Sequence, residues 1–232
     1  KLKPGSEVIV PAATFTTVIS PILQNGLVPV FVDVEMDTYN ICPKSIEEAI
    51  TPRTGLIMVV HTLGCSAKMD KIMELSETFN IPVLEDCCEA HGSAMNNKKV
   101  GSFGLISTWS FFVAHNMTTG EGGMILTNDE ELDEMLRSVR EFGRLTKYEK
   151  NKPRFYYTDE QLKDYDERYV FTNVGYNLRM TDLAASLGIE QLKKLDGFNK
   201  KRVEIAKQYN YFFSKFSEHL ILPETPENTF HS

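Results

Sequence analysis

The chain has 232 residues, 42% of them apolar and 25% charged, which is typical of a folded globular protein and excludes a disordered one. The net charge is −7, and no segment concentrates Lys and Arg with interleaved aromatic residues as a nucleic-acid surface would require. We therefore do not expect nucleic acid as a partner. No apolar run is long enough to span a membrane, and the first residues lack a signal-peptide pattern, so we expect a cytoplasmic protein.

Short apolar runs in the first 130 residues predict six strands. They cover residues 7–11, 29–34, 56–61, 82–86, 105–112 and 123–127. Most of these runs contain no polar alternation, which favours strands covered on both faces, and residues 68–79 between them have helical spacing. The pattern therefore predicts an α/β fold, a doubly wound and mainly parallel sheet flanked by helices.

The second half of the chain is predicted to be mainly helical. A helix starts at Asn128, where acidic residues follow a short polar cap, and ends near Phe142 because Gly143 stops it. Residues 144–169 have no clear period and are predicted as a long surface loop, either a lid or a dimer contact. From Thr181 an amphipathic helix follows, and Gly197 marks a bend before a second helical segment, residues 198–216. The predicted apolar stripe is Leu183, Leu187, Ile189, Leu192 and Leu195.

Several polar and aromatic residues lie at or just beyond the ends of predicted strands, which is where parallel sheets bind ligands. They are Thr14, Phe15, His61, Glu85, Asp86, Glu89, Ser110 and His115. Structural explanations remain open, since Asp86 could cap a helix and His61 could be a hydrogen-bonded core histidine. The cysteines, Cys42, Cys65, Cys87 and Cys88, have no CxxC spacing and are expected to be free thiols.

Seven segments together resemble the nucleotide-sugar aminotransferase family (DegT/StrS type), vitamin B6 enzymes of the aspartate aminotransferase fold. They are VIVPAATFTTV (8–18), PVFVDVEMDTYNI (29–41), HTLG (61–64), LEDCCEAHGS (84–93), KKVGSFG (98–104), STWSFFVAHNMTTGEGG (107–123) and GYNLRMTDLAASLG (175–188). The resemblance implies a large cofactor-binding domain at 1–180 that lacks its N-terminal part, connecting long helices at 181–217, and the start of a truncated small domain at 218–232.

The resemblance also implies roles for particular residues. Phe15 would stack on the pyridine ring of pyridoxal phosphate, and Asp86 would pair with the ring nitrogen, keeping it protonated so that the ring accepts electrons. Ser110 would bind the phosphate, and Asn177 would reach that phosphate from the partner subunit of a homodimer. Glu89 stands near the ring hydroxyl, where many relatives have glutamine.

His115 departs from the aminotransferase pattern, because it occupies the position of the lysine that holds the cofactor covalently. Imidazole cannot form that bond, but it can act as a general base. The replacement is the mark of a deoxygenating branch, the NDP-4-keto-6-deoxyhexose 3-dehydratases of deoxysugar or lipopolysaccharide biosynthesis. In that branch pyridoxamine phosphate condenses with C4 of the nucleotide-linked sugar, so His115 would remove the C4′ proton and the C3 hydroxyl would leave as water.

Two kinds of enzyme are known in this branch. The GDP-4-keto-6-deoxymannose 3-dehydratase type has no cluster and takes its amine from glutamate, but the motifs look closer to the CDP-4-keto-6-deoxyglucose 3-dehydrase type. That type uses a [2Fe-2S] cluster on four cysteines and a separate reductase, but residues 144–169 contain no cysteine, so we predict no iron–sulfur cluster and leave the reductase open. Two alternatives also stay open. The protein could be an aminotransferase using another lysine, Lys98 or Lys99, or a non-catalytic cofactor-binding homologue.

Overall fold

The computed structural model of the chain describes residues 2–145 and 164–232. Its main element is a six-stranded sheet. The strands are β1 (Glu7–Pro11), β2 (Val28–Val32), β3 (Thr54–Val60), β4 (Val83–Asp86), β7 (Ile106–Ser110) and β8 (Gly123–Thr127), in the spatial order β2-β1-β3-β4-β7-β8. β1 pairs in parallel with β2 and β3, β3 with β4, and β4 with β7. The predicted parallel α/β architecture is thus confirmed, with β1 and β8 at their predicted bounds.

Helices connect and flank these strands. They are α1 (Thr16–Gln24), α2 (Pro43–Ala49), α3 (Met69–Phe79), α4 (Glu130–Arg140) and α5 (Asp182–Phe213), with single 3₁₀ turns at Thr62–Gly64, Glu167–Tyr169 and Ser214–Phe216. A small antiparallel sheet with the order β6-β5-β9 is formed by β5 (Ala94–Met95), β6 (Lys98–Lys99) and β9 (Thr229–Phe230).

The central strands of the sheet are covered on both faces, as their apolar runs predict, whereas β8 is mostly exposed. In β1, Ile9 packs into one buried cluster, whereas its neighbours Val8 and Val10 pack into another with Val18 and Ile22 of α1. Successive side chains of a strand point to opposite faces, so these two clusters lie on opposite faces of the sheet. Central parallel strands without polar alternation are explained by this double burial.

The helices differ from the sequence prediction in three respects. The cap of α4 is Asp129, whose carboxylate accepts the Leu132 N–H at 2.9 Å, rather than Asn128, and the helix ends at Arg140. α5 continues through Gly197 without a break, because one glycine costs only about 1 kcal/mol in a long helix. The predicted apolar stripe is also wrong as a buried face, since four of its five residues, Leu183, Leu187, Ile189 and Leu192, are exposed.

The described residues divide into two compact units. One consists of residues 1–126 together with 183–232, and the other of residues 127–182. Most of the predicted loop at 144–169 lies outside the described residues, and the domain boundaries inferred from the family resemblance remain predictions. Within the described part of the chain, no helix combines the length and apolar character needed to cross a bilayer.

Candidate active site

The carboxyl ends of β1, β3, β4 and β7 lie at one edge of the sheet, because these strands are parallel to one another. Asp86 and Ser110 are the last residues of β4 and β7. Phe15 follows β1 by four positions, and His115 follows β7 by five. The topology therefore brings these four predicted site residues to the same edge.

Phe15 presents an aromatic ring to solvent at this edge. It is the N-cap residue of α1, with extended backbone angles and no side-chain capping bond, and its side chain is 72% exposed. Beside it in sequence, the hydroxyl of Thr14 is buried and has no hydrogen-bond partner among the described residues. An exposed ring of this size next to an unsatisfied hydroxyl is a surface on which a planar ligand can stack.

Asp86 is held at the end of β4 by its neighbours. Its Oδ1 accepts the Cys88 N–H at 3.0 Å, and its main-chain oxygen accepts the His61 N–H at 3.0 Å. Burial and the negative charge of Asp86 raise the pKa of the Cys88 thiol, so this cysteine is protonated at neutral pH. Glu89, three positions beyond Asp86, is exposed.

His61 and Glu85 form a fully buried pair, with His61 Nε2 and Glu85 Oε2 3.0 Å apart. His61 Nδ1 accepts the Ala67 N–H at 3.1 Å, which makes Nε2 the protonated nitrogen, donating to Glu85. Three backbone N–H groups of the turn at 101–104 also donate to the Glu85 carboxylate, at 2.6–2.8 Å. Burial alone would raise the pKa of Glu85, but the hydrogen bonds from His61 and this turn hold it below the ordinary value.

The pair is therefore structural. Cys87 lies close enough for His61, Glu85 and Cys87 to be considered as metal ligands. However, both nitrogens of His61 and both oxygens of Glu85 already take part in hydrogen bonds. The alternative that His61 is a hydrogen-bonded core histidine is the one supported.

Ser110 and His115 lie on the turn that follows β7. Ser110 Oγ accepts the Phe112 N–H at 3.2 Å, and the His115 N–H donates to Phe112 O at 3.1 Å. The His115 ring meets the Phe112 ring edge-on, with centroids 5.8 Å apart. Its Nδ1 is buried and has no hydrogen-bond partner in the described chain. A half-buried imidazole with an unsatisfied nitrogen is suited to receive or deliver a proton.

His91 was not predicted as part of the site, although it lies in the same unit as His115. It is 4% exposed and packs against the rings of Trp109 and Phe111, with centroids 5.2 and 5.8 Å away. Burial and the charges on His115 and Arg202 lower the pKa of His91 to about 4, so it is neutral at pH 7. Neither of its ring nitrogens has a hydrogen-bond partner among residues 2–145 and 164–232.

Asn177 belongs to the other unit, where it forms an isolated bridge with Glu141. Its Oδ1 accepts from Arg179 Nε at 3.5 Å, a long contact. Its inferred role, which requires a partner subunit, stays a prediction.

Lys98 and Lys99, the lysines considered for covalent attachment of a cofactor, are engaged on β6. Lys98 Nζ lies 4.4 Å from the centroid of the Phe103 ring. Lys99 Nζ donates to Gly92 O at 2.7 Å. Both amines thus have partners within the fold, and both lysines belong to the small sheet and not to the strand ends of the main sheet.

The sequence of the chain matches a known protein family and several characterised proteins. The DegT/DnrJ/EryC1/StrS aminotransferase family matches residues 1–232. The dTDP-4-dehydro-2,6-dideoxy-D-glucose 3-dehydratase of Saccharopolyspora spinosa is 44% identical over 208 residues, covering 87% of this chain and 45% of that protein.

Two solved structures show the same fold. E. coli GDP-4-keto-6-deoxy-D-mannose-3-dehydratase with bound hydrated PLP has a TM-score of 0.80 at 37% identity, covering 97% of this chain and 58% of that one. The aminotransferase from Psychrobacter cryohalolentis has a TM-score of 0.82 at 37% identity, covering 94% and 53%. The resemblance inferred from the motifs and the predicted transferase fold are confirmed. The chain spans about half the length of these relatives.

Proposed function

The chain belongs to the DegT/DnrJ/EryC1/StrS aminotransferase family, and we propose that the intact protein is a pyridoxamine-phosphate-dependent 3-dehydratase of an NDP-4-keto-6-deoxyhexose, acting in deoxysugar or lipopolysaccharide biosynthesis. The observation that carries the proposal is His115, which stands at the carboxyl edge of the sheet where the family's aminotransferases have a lysine. Proteins named as 3-dehydratases and one named as an aminotransferase match at 37–44% identity, so overall similarity does not distinguish the two reactions and the proposal rests on His115.

The residues present fit a pyridoxal or pyridoxamine phosphate cofactor. Two buried polar atoms have no hydrogen-bond partner within residues 2–145 and 164–232. They are Thr14 Oγ1 and His115 Nδ1, in the segments that follow β1 and β7. Such atoms are expected to be satisfied when a polar ligand binds. The same edge presents the exposed aromatic ring of Phe15. It also presents the carboxylate of Asp86, which is held at the end of β4 by the Cys88 N–H.

Each residue would contribute one interaction. Phe15 would stack on the pyridine ring, Asp86 would pair with its nitrogen, and Ser110 would bind the phosphate, joined by Asn177 of a second subunit. Glu89 is exposed at the same strand end, near the ring hydroxyl by resemblance. When bound, the cofactor supplies an electron-withdrawing ring and an amine.

His115 would move the proton. Because imidazole cannot bind the cofactor covalently, the side chain is free to take a proton at C4′ and to assist departure of the sugar's C3 hydroxyl. The Phe112 ring contacts the imidazole edge-on and restricts the orientations that it can take. Removing a general acid–base group typically lowers the rate by about 10²–10⁴-fold.

The proposal includes a homodimer, leaves a reductase open, and includes no iron–sulfur cluster. All four cysteines are free, and burial raises the pKa of Cys65 to about 11. The expectation of no cluster rests on the sequence, because a cluster of this type needs four cysteine ligands and residues 144–169 contain no cysteine.

Borohydride trapping of the intact protein tests the proposal. After incubation with pyridoxal phosphate and borohydride, we expect the wild-type mass to be unchanged, whereas His115→Lys should gain one reduced cofactor. His115→Asn should bind the cofactor and lose dehydration of the sugar by at least about 10²-fold.

Other outcomes would contradict the dehydratase. Label on Lys98 or Lys99 of the wild type would favour an aminotransferase that uses another lysine. Binding of pyridoxamine phosphate without consumption of any sugar in a panel of nucleotide-linked 4-keto-6-deoxyhexoses would favour a non-catalytic homologue.

A further inference from the structure

α5 contacts the rest of its unit through an amide. Among the side chains of this 32-residue helix, Asn199 is the one that is fully buried, at 3% exposure. Its Nδ2 donates to His91 O at 2.6 Å, and its Oδ1 accepts from Asn116 Nδ2 at 3.4 Å. Asn116 is the residue directly after His115, so the helix is hydrogen-bonded to the turn that carries the proposed base.

Glycine makes this approach possible. Gly92 has φ +101, and a Cβ placed on it would lie 2.6 Å from Asn199 Nδ2, too close for any side chain. A second close approach occurs about three turns before Asn199 along α5. A Cβ on Gly188 there would lie 3.0 Å from Thr119 Cγ2. The helix therefore contacts the segment after His115 at two separate points.

Further buried polar groups hold the same segment. Asn116 Nδ2 also donates to Ser232 Oγ at 3.4 Å, and Ser232 Oγ lies 2.7 Å from Ser93 Oγ. Ser93 Oγ donates in turn to Gly64 O at 2.6 Å. Asn116, Ser93 and Ser232 are all buried. A connected polar network in a low-dielectric interior fixes a single arrangement more strongly than apolar contacts, which tolerate sliding.

We infer that Asn116 and Asn199 are positioning residues for His115: their hydrogen bonds hold the turn after β7 so that the imidazole keeps its half-buried orientation. The inference rests on the proposed function for the identity of the reaction, but not for the placement of the ring. The 3.4 Å contacts of Asn116 are long, so the turn is held by the sum of several bonds and not by one strong bond. Small displacements of a base reduce the rate steeply.

The test uses the intact protein and two variants, Asn116→Ala and Asn199→Ala. Gln191→Ala is the matched control, because it removes a half-buried amide from the same helix without touching the network. The readout independent of turnover is the rate at which diethyl pyrocarbonate modifies His115, measured by peptide mass spectrometry against exposed His219 as internal standard.

We expect His115 to react about threefold faster or more in both variants and at the wild-type rate in Gln191→Ala. Turnover of the 4-keto sugar should fall about tenfold in kcat with little change in KM. Because the two residues share the Asn116–Asn199 hydrogen bond, the effects of the two substitutions should be less than additive in the double variant. If Asn199→Ala does not fold, Asn116→Ala alone decides, since it removes only the contacts to Asn199 and Ser232.

Unchanged reactivity of His115 in the folded variants would overturn the inference, whatever happens to turnover, because a purely structural role changes stability and not the exposure of this ring. Faster modification of His115 in a protein that dehydrates no sugar would support the positioning role and contradict the proposed function.

Discussion

Two buried histidines in one unit differ in how their rings are satisfied. His61 uses both nitrogens, accepting from Ala67 and donating to Glu85. His91 has aromatic neighbours on its ring and no hydrogen-bond partner for either nitrogen among the described residues. A buried imidazole without partners resists protonation, because the charged form loses its hydration and gains nothing in return. His91 is thus a neutral neighbour to His115.

This environment predicts a loss of stability in mild acid. The unfolded chain protonates His91 near pH 6.5, whereas the folded chain does so only near pH 4. As the pH falls between these values the unfolded state binds the extra proton, so the free energy of unfolding falls, by about 3 kcal/mol in total. Urea unfolding of wild type and His91→Phe at pH 7, 5.5 and 4 measures the difference.

His91→Phe should lose less stability than the wild type over this range, since phenylalanine fills the ring site and cannot be protonated. Equal losses in the two proteins would show that acid destabilisation comes from other groups.

At the scale of the elements, the side chain of Glu85 connects three parts of the fold by hydrogen bonds. These parts are β4, the segment after β3 and the turn at 101–104. Its carboxylate accepts N–H groups of Gly101, Phe103 and Gly104, as well as the His61 ring. Gly104 lies so close to β4 that a Cβ there would be 2.6 Å from Val83 O. The turn can therefore reach the carboxylate only because its glycine lets the backbone approach β4.

Glu85→Gln should destabilise the protein by about 3 kcal/mol. The amide group of glutamine would point a donor at backbone donors and leave buried N–H groups unsatisfied. Chemical denaturation at pH 7 gives the value. Glu77→Gln, at an exposed position of α3, is the control and is expected within about 0.5 kcal/mol of wild type. A change as small as the control's would mean that the carboxylate is not needed to hold the turn.

The sequence predicts the elements that are buried on two faces and fails for those that depend on tertiary contacts. The apolar runs identify all six strands of the main sheet, but α1 was not predicted. Thr16, Thr17, Val18 and Pro21 disfavour a helix intrinsically. It forms because Val18 and Ile22 pack against the sheet.

The site divides in the same way. The rule that ligands bind at carboxyl ends of parallel strands gives eight candidates, and the family resemblance selects Phe15, Asp86, Ser110 and His115 from among them. It cannot find Asn199, which lies 108 positions from His91 and 83 from Asn116. One available signal was that Asn199 follows Leu195 by four positions and precedes Val203 by four, a place on a helix where an apolar residue is expected.

At the scale of the whole molecule, α5 leaves four large apolar side chains uncovered in the single chain, distributed around the N-terminal half of the helix. Leu183, Leu187, Ile189 and Leu192 are each more than half exposed. Exposed apolar residues at this density mark an interaction surface. The proposed homodimer, in which a second subunit supplies Asn177, provides an occupant for it.

Sedimentation of the intact protein should give a dimer, and Leu187→Asp should shift it towards monomer by placing a charge in the interface. Ile221→Asp, at another exposed apolar position outside α5, is the control and should leave the dimer intact. Dimers of unchanged stability in Leu187→Asp would contradict this assignment of the surface.

The single buried amide of α5 has a consequence for how the protein fluctuates. A helix that buries little apolar area can detach from the segments after β4 and β7 at a small fraction of the cost of opening β1, whose five residues are all buried. Excursions of α5 would release the turn that carries His115 while the sheet stays intact. A second subunit that covers the exposed apolar side chains of α5 would suppress those excursions. Dimerisation and the position of His115 would then be thermodynamically coupled.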